Sequence, residues 1–226
     1  MALAFAPYAA LGLVHLAALG LGSPAAVTAS KLLLMPALAA AVLFARPPRG
    51  AVAGLLFAAI ALSWGGDALL TAPGDGWFVA GLCSFLAAHV AYVLLFLRLP
   101  PGRRRLPWWT AVYVAWFAGF LALLAPGLGA LAAPVVVYGV VLGTMAALAG
   151  GVGGAVAFGG ACFVVSDSVL ALGRFLPGYE FAAHDLVVMS TYLVAQGLIA
   201  WGVLRRVAPA IPTPPRAPAR VPTPAR

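Results

Sequence analysis

Eight long apolar stretches, joined by short connections rich in Pro and Gly, leave this chain few folds to choose from. They run over roughly 3–21, 27–45, 51–72, 77–97, 108–125, 129–149, 152–173 and 184–204. A helix needs about 20 apolar residues to cross the hydrocarbon core of a bilayer. The runs are continuous rather than alternating, which excludes a membrane barrel. Connections such as "ARPPRG", "TAPGDGW" and "APGLG" are too short to hold an extramembrane domain. With 64% of 226 residues hydrophobic and only 8% charged, the solvent for most of the chain is lipid. The sequence therefore predicts an all-α, polytopic membrane protein. Residues 1–206 form one bundle of eight transmembrane helices, and 207–226 form a Pro/Ala/Arg-rich disordered tail.

The net charge of +8 does not point to nucleic acid, because the arginines lie between spans and form no basic face. Arg46 and Arg49 fall between spans two and three, and Arg98, Arg103, Arg104 and Arg105 between spans four and five. Arg205, Arg206, Arg216, Arg220 and Arg226 follow the last span, so eleven of the 13 basic residues share one side. The positive-inside rule makes that side, and with it both termini, cytoplasmic. Lys31 and Arg174 fall on the other side. The first segment lacks a basic leader and is long enough to be a mature span. Cys83 and Cys162 lie within spans and read as inert buried thiols. The expected location is a cell membrane, a bacterial inner membrane, crossed many times.

Against this apolar background, "SWGGDALL" and "CFVVSDSVLALG" each carry an acid inside a span, Asp67 and Asp167. Counting about 1.5 Å per helical residue puts Asp67 about 7 Å and Asp167 about 9 Å inside the non-cytoplasmic face. Lys31 enters from that face to about 6 Å, and His15 lies at about 9 Å. His184 and Asp185 open the last span there, with Tyr192 and Gln196 below. An ionised Asp or Lys near a helix centre costs about 2.5–3.5 kcal/mol, so these groups should face the bundle interior and one another. Two carboxylates in a poorly solvated site cannot both ionise cheaply, which divides them into an acid and a base.

Other features have plainer readings. The glycines of "GGVGGAVAFGGA" lack the strand and the Lys-Ser/Thr of a phosphate loop and suit close helix packing. Ser166 and Ser168 suit bonds to carbonyls one turn back. Lys31 suits an interfacial orientation marker. His89, near mid-membrane, lies away from the polar layer and reads as a core histidine. Trp77, Trp108 and Trp109 read as interfacial anchors.

The segments "SKLLLMPALAAAVL", "WGGDALL", "FVAGLCSFLAAHVAYVLLF" and "VVSDSVLALGRF", with the Tyr- and Gln-bearing last span, together resemble the YhhN family of lysoplasmalogenases from about Ser30 to Leu204. The resemblance implies an eight-helix membrane hydrolase that cleaves the vinyl ether of a lysoplasmalogen to a fatty aldehyde and a glycerophospho-ethanolamine or -choline. It implies Asp67 and Asp167 as the acid–base pair. Lys31, Met35 and Pro36 match one family signature, and Ser84, Phe85, His89 and Tyr92 another. Lys31 would hold the lipid phosphate, and Ser166, His89 or Tyr192 would orient the acids. The expected partner is a lysophospholipid entering from the bilayer, with no nucleic acid, metal or cofactor.

A ceramidase-like zinc amidase would need several histidines as ligands, whereas His15, His89 and His184 lie on separate spans. An intramembrane aspartyl protease would need Gly-x-Gly-Asp, and Trp64 stands at its first Gly. A proton-coupled transporter of small molecules or lipids is the alternative from another class. Its marks are internal repeats and spans broken at mid-membrane. No convincing repeat is present.

Overall fold

The computed structural model describes residues 2–47, 50–99 and 106–208. Arg49, Arg103, Arg104, Arg105 and the tail from 209 onward lie outside the described residues. Eight α-helices occur among the described residues. They are α1 (Ala6–Gly20), α2 (Pro24–Phe44), α3 (Ala51–Leu69), α4 (Asp75–Arg98), α5 (Val112–Leu128), α6 (Ala132–Val152), α7 (Gly154–Phe175) and α8 (His184–Val207). Among the described residues, seven apolar helical runs are long enough to cross a membrane. The longest, Trp108–Val152, is bent at Gly129–Leu131 into α5 and α6. The protein is an all-α, multi-pass membrane protein.

Local chemistry sets the helix ends. Pro24 opens α2, where its missing N–H satisfies no bond that a helix would make. The step from α6 to α7 takes the single extended residue Gly153. Each helix packs on its chain neighbour from α1 to α4. Then α4 skips α5 to pack on α6, the path continues through α7 to α8, and α8 closes onto α1 and α2. The helix left outside this ring is α5, lying against α6 and α7.

Close helix contact comes from small residues, as lipid-embedded packing requires. Gly159 faces the backbone of Ala195 on α8, where a Cβ would stand 3.0 Å from the carbonyl oxygen. Gly160 faces Ala146 and Ala149 on α6. The outward surface is apolar, with Leu13, Leu97, Val114 and Phe158 all exposed, as hydrocarbon demands. Inside, His15, Ser63, Asp67, His89, Ser166 and Gln196 are buried. These polar groups are set into an otherwise apolar interior.

Candidate active site

Asp67, near the C-terminal end of α3, is 2% exposed. Tyr192 on α8 donates to its Oδ2 across 2.7 Å, and the Lys31 ammonium on α2 stands 3.8 Å from its Oδ1. The neighbouring turns of α2 and α3 are tied by a proline. Pro36 has no N–H to give the carbonyl four residues back, which frees the oxygen of Leu32. The indole N–H of Trp64 takes that oxygen at 2.9 Å. The tie joins the residue after Lys31 to the residue one turn before Asp67, so Pro36 and "WGGD" act together to set that ion pair.

Asp167 lies on α7, two turns before its end. Tyr138 on α6 donates to its Oδ2 across 2.6 Å, and His89 Nε2 stands 3.8 Å from the same oxygen. Its Oδ1 has no hydrogen-bond partner among the described residues. Asp167, Tyr138 and Ser168 are polar points on the wall of a narrow cleft between α4, α5, α6 and α7. The rest of that wall is apolar, including Phe78, Phe85, Trp116, Phe120, Leu121 and Phe175. Trp116 donates to Ser168, which in turn donates to the Val164 carbonyl one turn back.

An aromatic partition separates the two acids. Phe85 lines the cleft and stands edge-on to Tyr192 at 6.0 Å, and Phe163 lies 4.8 Å from His89 and 5.6 Å from Tyr192 between ring centroids. Phe85 comes this close because residue 66 is Gly: a Cβ there would lie 2.5 Å from its ring. Only Asp167 of the two lines the cleft. Behind the partition, Tyr92 donates to Gln196 Oε1 at 2.5 Å, and Gln196 Nε2 donates to Ser63 at 2.9 Å. That relay joins α4, α8 and α3.

The sequence-predicted residues therefore fall into two groups and four outliers. Asp67, Lys31 and Tyr192 meet, and so do Asp167 and His89. Ser166 turns away to donate to the Val188 carbonyl on α8, a helix tie rather than a contact with either acid. His184 and Asp185 remain at the start of α8, with the Asp185 side chain 77% exposed. His15 is buried against Ser30 at 2.8 Å. Ser30 gives its one proton to the Ala26 carbonyl, so the His15 Nδ1–H is the donor in that pair.

His89 departs from the depth count, which placed it away from the layer. Helical side chains lean toward their own N-terminus. Since α4 and α7 run in opposite directions, His89 and Asp167 lean toward each other and close the gap. Both ring nitrogens of His89 are buried without a hydrogen-bond partner. Tyr138 carries no mark in the sequence: it sits in an unbroken apolar run, 29 residues from its partner. Among the described residues, no three of His, Cys, Asp and Glu gather as metal ligands would.

The YhhN family matches this chain over residues 26–203, a stretch that includes Lys31, Asp67, His89, Tyr138, Asp167 and Tyr192. A protein named lysoplasmalogenase from Mycobacterium bovis is 37% identical over 187 residues, 78% of this chain and 69% of its own length. Lysoplasmalogenase TMEM86B of Rattus norvegicus is 34% identical over 163 residues, 72% of this chain and 67% of its own. The Homo sapiens protein of that name is 33% identical over 182 residues, 75% and 72% of the two chains. No solved structure matches the chain significantly. Matched over most of its length by that family and by these relatives, the chain belongs to the YhhN family.

Proposed function

We propose that this protein is a membrane-embedded hydrolase that cleaves the vinyl ether of a lysoplasmalogen, releasing a fatty aldehyde and a glycerophospho-ethanolamine or -choline. One observation carries the reading: Asp167, held by Tyr138, is the carboxyl on the wall of an otherwise apolar, lipid-depth cleft. The names of the similar proteins support the substrate class.

The two acids have unequal surroundings, which suits unequal roles. Asp167 has an apolar wall and no permanent cation beside it, conditions that favour the neutral acid. Asp67 has the Lys31 ammonium and the Tyr192 hydroxyl, which favour the carboxylate. Asp167 gives its proton to the β-carbon of the vinyl ether. The C=C electron pair forms the new C–H bond, and the ether oxygen shares a lone pair to make an oxocarbenium ion. The Asp67 carboxylate, held behind Phe85, stabilises that cation through its field, and the Asp167 carboxylate takes a proton from the water that adds to the α-carbon. Asp167 then gives that proton to the glycerol oxygen of the hemiacetal as its C–O bond breaks, and takes the proton of the hemiacetal hydroxyl as the aldehyde forms. One water is consumed, and both acids end as they began.

Purified protein given lysoplasmalogen and its ester and alkyl-ether analogues should release aldehyde from the vinyl ether alone. Asp67→Asn and Asp167→Asn should each abolish release in protein that still elutes as a folded species. Full aldehyde release by both variants would end this reading.

A further inference from the structure

The cleft has a charged rim that the two-acid chemistry does not use. Arg174 follows Asp167 by seven residues on α7, so it shares that face two turns nearer the helix end, about 10 Å along the axis. Its guanidinium is ion-paired with Asp75, the first residue of α4, and lies 4.9 Å above the Phe78 ring. Phe78 stands edge-on to Phe175 at 6.0 Å, and both rings line the cleft. The pair therefore sits over the end of the cleft beyond Asp167. It is also open to a ligand, with side chains 38% and 85% exposed. Lys31, the other cation of that face, is turned inward to Asp67 and only 19% exposed.

Resting on the proposed function, we infer that the Arg174–Asp75 pair is the headgroup site. Arg174 takes the phosphate of the lysolipid, Asp75 takes the ammonium of its ethanolamine or choline, and the alkenyl chain runs down the cleft past Asp167. A zwitterionic headgroup carries one charge of each sign, and the rim offers one partner for each. An exposed ion pair contributes little, so exchanging each partner for a headgroup charge is inexpensive. Arg keeps its stacking on Phe78 while its fork of N–H donors turns from carboxylate to phosphate. The spacing agrees. Seven bonds separate the vinyl β-carbon from phosphorus, roughly 9 Å when extended. That matches the two helical turns between Asp167 and Arg174. Lys31, expected from the family resemblance to hold the phosphate, instead serves Asp67.

Binding separates this site from the chemistry. Tritiated 1-alkyl-glycerophosphoethanolamine has no vinyl ether to cleave, 1-alkyl-glycerophosphate lacks the ammonium, and 1-alkylglycerol lacks the phosphate. Arg174→Gln in the full chain should weaken both phospholipids by about tenfold or more and leave 1-alkylglycerol unchanged, which also reports that the protein is folded. Asp75→Asn should weaken the ethanolamine lipid and spare the glycerophosphate. Arg174→Gln/Asp75→Asn, which leaves no charge unpaired, should bind all three as weakly as 1-alkylglycerol. The inference falls if Arg174→Gln weakens all three lipids alike or weakens none. Aldehyde release by wild-type protein is the separate readout. Its absence with the Arg174 dependence intact sinks the proposed reaction and leaves the headgroup site. Its presence with no Arg174 dependence does the reverse.

Discussion

The hydroxyl of Tyr138 donates to Oδ2 of Asp167 across 2.6 Å, joining α6 to α7 at the wall of the cleft. It fixes the direction in which the carboxyl presents its other oxygen. Tyr138→Phe keeps the ring against His89, 5.4 Å between centroids, and removes only that bond. A single hydrogen bond contributes about 0.5–1.5 kcal/mol, so kcat for aldehyde release should fall by up to about tenfold. The thermal midpoint should fall by only about 1–6 °C.

Lys31 and Asp67 form an ion pair inside the bundle. Asp67→Asn leaves the ammonium without its carboxylate. Because Lys31 is partly exposed, the cost should be about 1–3 kcal/mol, below that of breaking a fully buried pair. Lys31→Met in the same chain should recover most of that stability, read as the thermal midpoint in detergent, while aldehyde release stays absent. Recovery of activity with stability would show that Asp67 matters only as a counter-ion.

Pro36, Leu32 and Trp64 make a closed test of one carbonyl. Trp64→Phe strands the Leu32 oxygen and should destabilise by about 1–2 kcal/mol. Pro36→Ala supplies a helical N–H to that oxygen. In its presence the same Trp64 change should cost about 1 kcal/mol less, a coupling that a double-mutant cycle on thermal or denaturant stability resolves. Additive costs would mean that the indole does not replace the missing N–H.

Gly66 gives Phe85 its place between the cleft and Tyr192. Gly66→Ala pushes a methyl against that ring, where a Cβ would stand 2.5 Å away. Overpacking of this kind costs about 1–3 kcal/mol, and the displaced ring moves either into the cleft or onto Tyr192. Comparison of kcat/KM with thermal midpoint should show the larger loss in kcat/KM, whereas Gly54→Ala, in open space on the same helix, should leave kcat/KM unchanged and not lower the midpoint.

Much of the fold was legible because lipid imposes a one-dimensional rule. Spans must be long, apolar and helical, and the observed helices begin and end within a few residues of the expected ones. Asp67, Asp167, Lys31 and Tyr192 were legible for the same reason: a polar group at that depth needs a partner. Tyr138 was hidden because a tyrosine in an apolar run looks like core. Ser166 was misleading because adjacency in sequence to Asp167 puts it on a different helical face, toward α8.

By itself the sequence determined that the chain is a helical bundle in a membrane, and which of its groups are too polar to face lipid. Composition and segment length suffice for that, because hydrocarbon penalises every unpaired polar group wherever the helices pack. Only the tertiary structure decided which groups meet. Pairing depends on helix order around the bundle, on α5 being left outside it, and on side chains of opposed helices leaning toward each other. Those relations arise between segments far apart in the chain, through glycine contacts that no single span reveals.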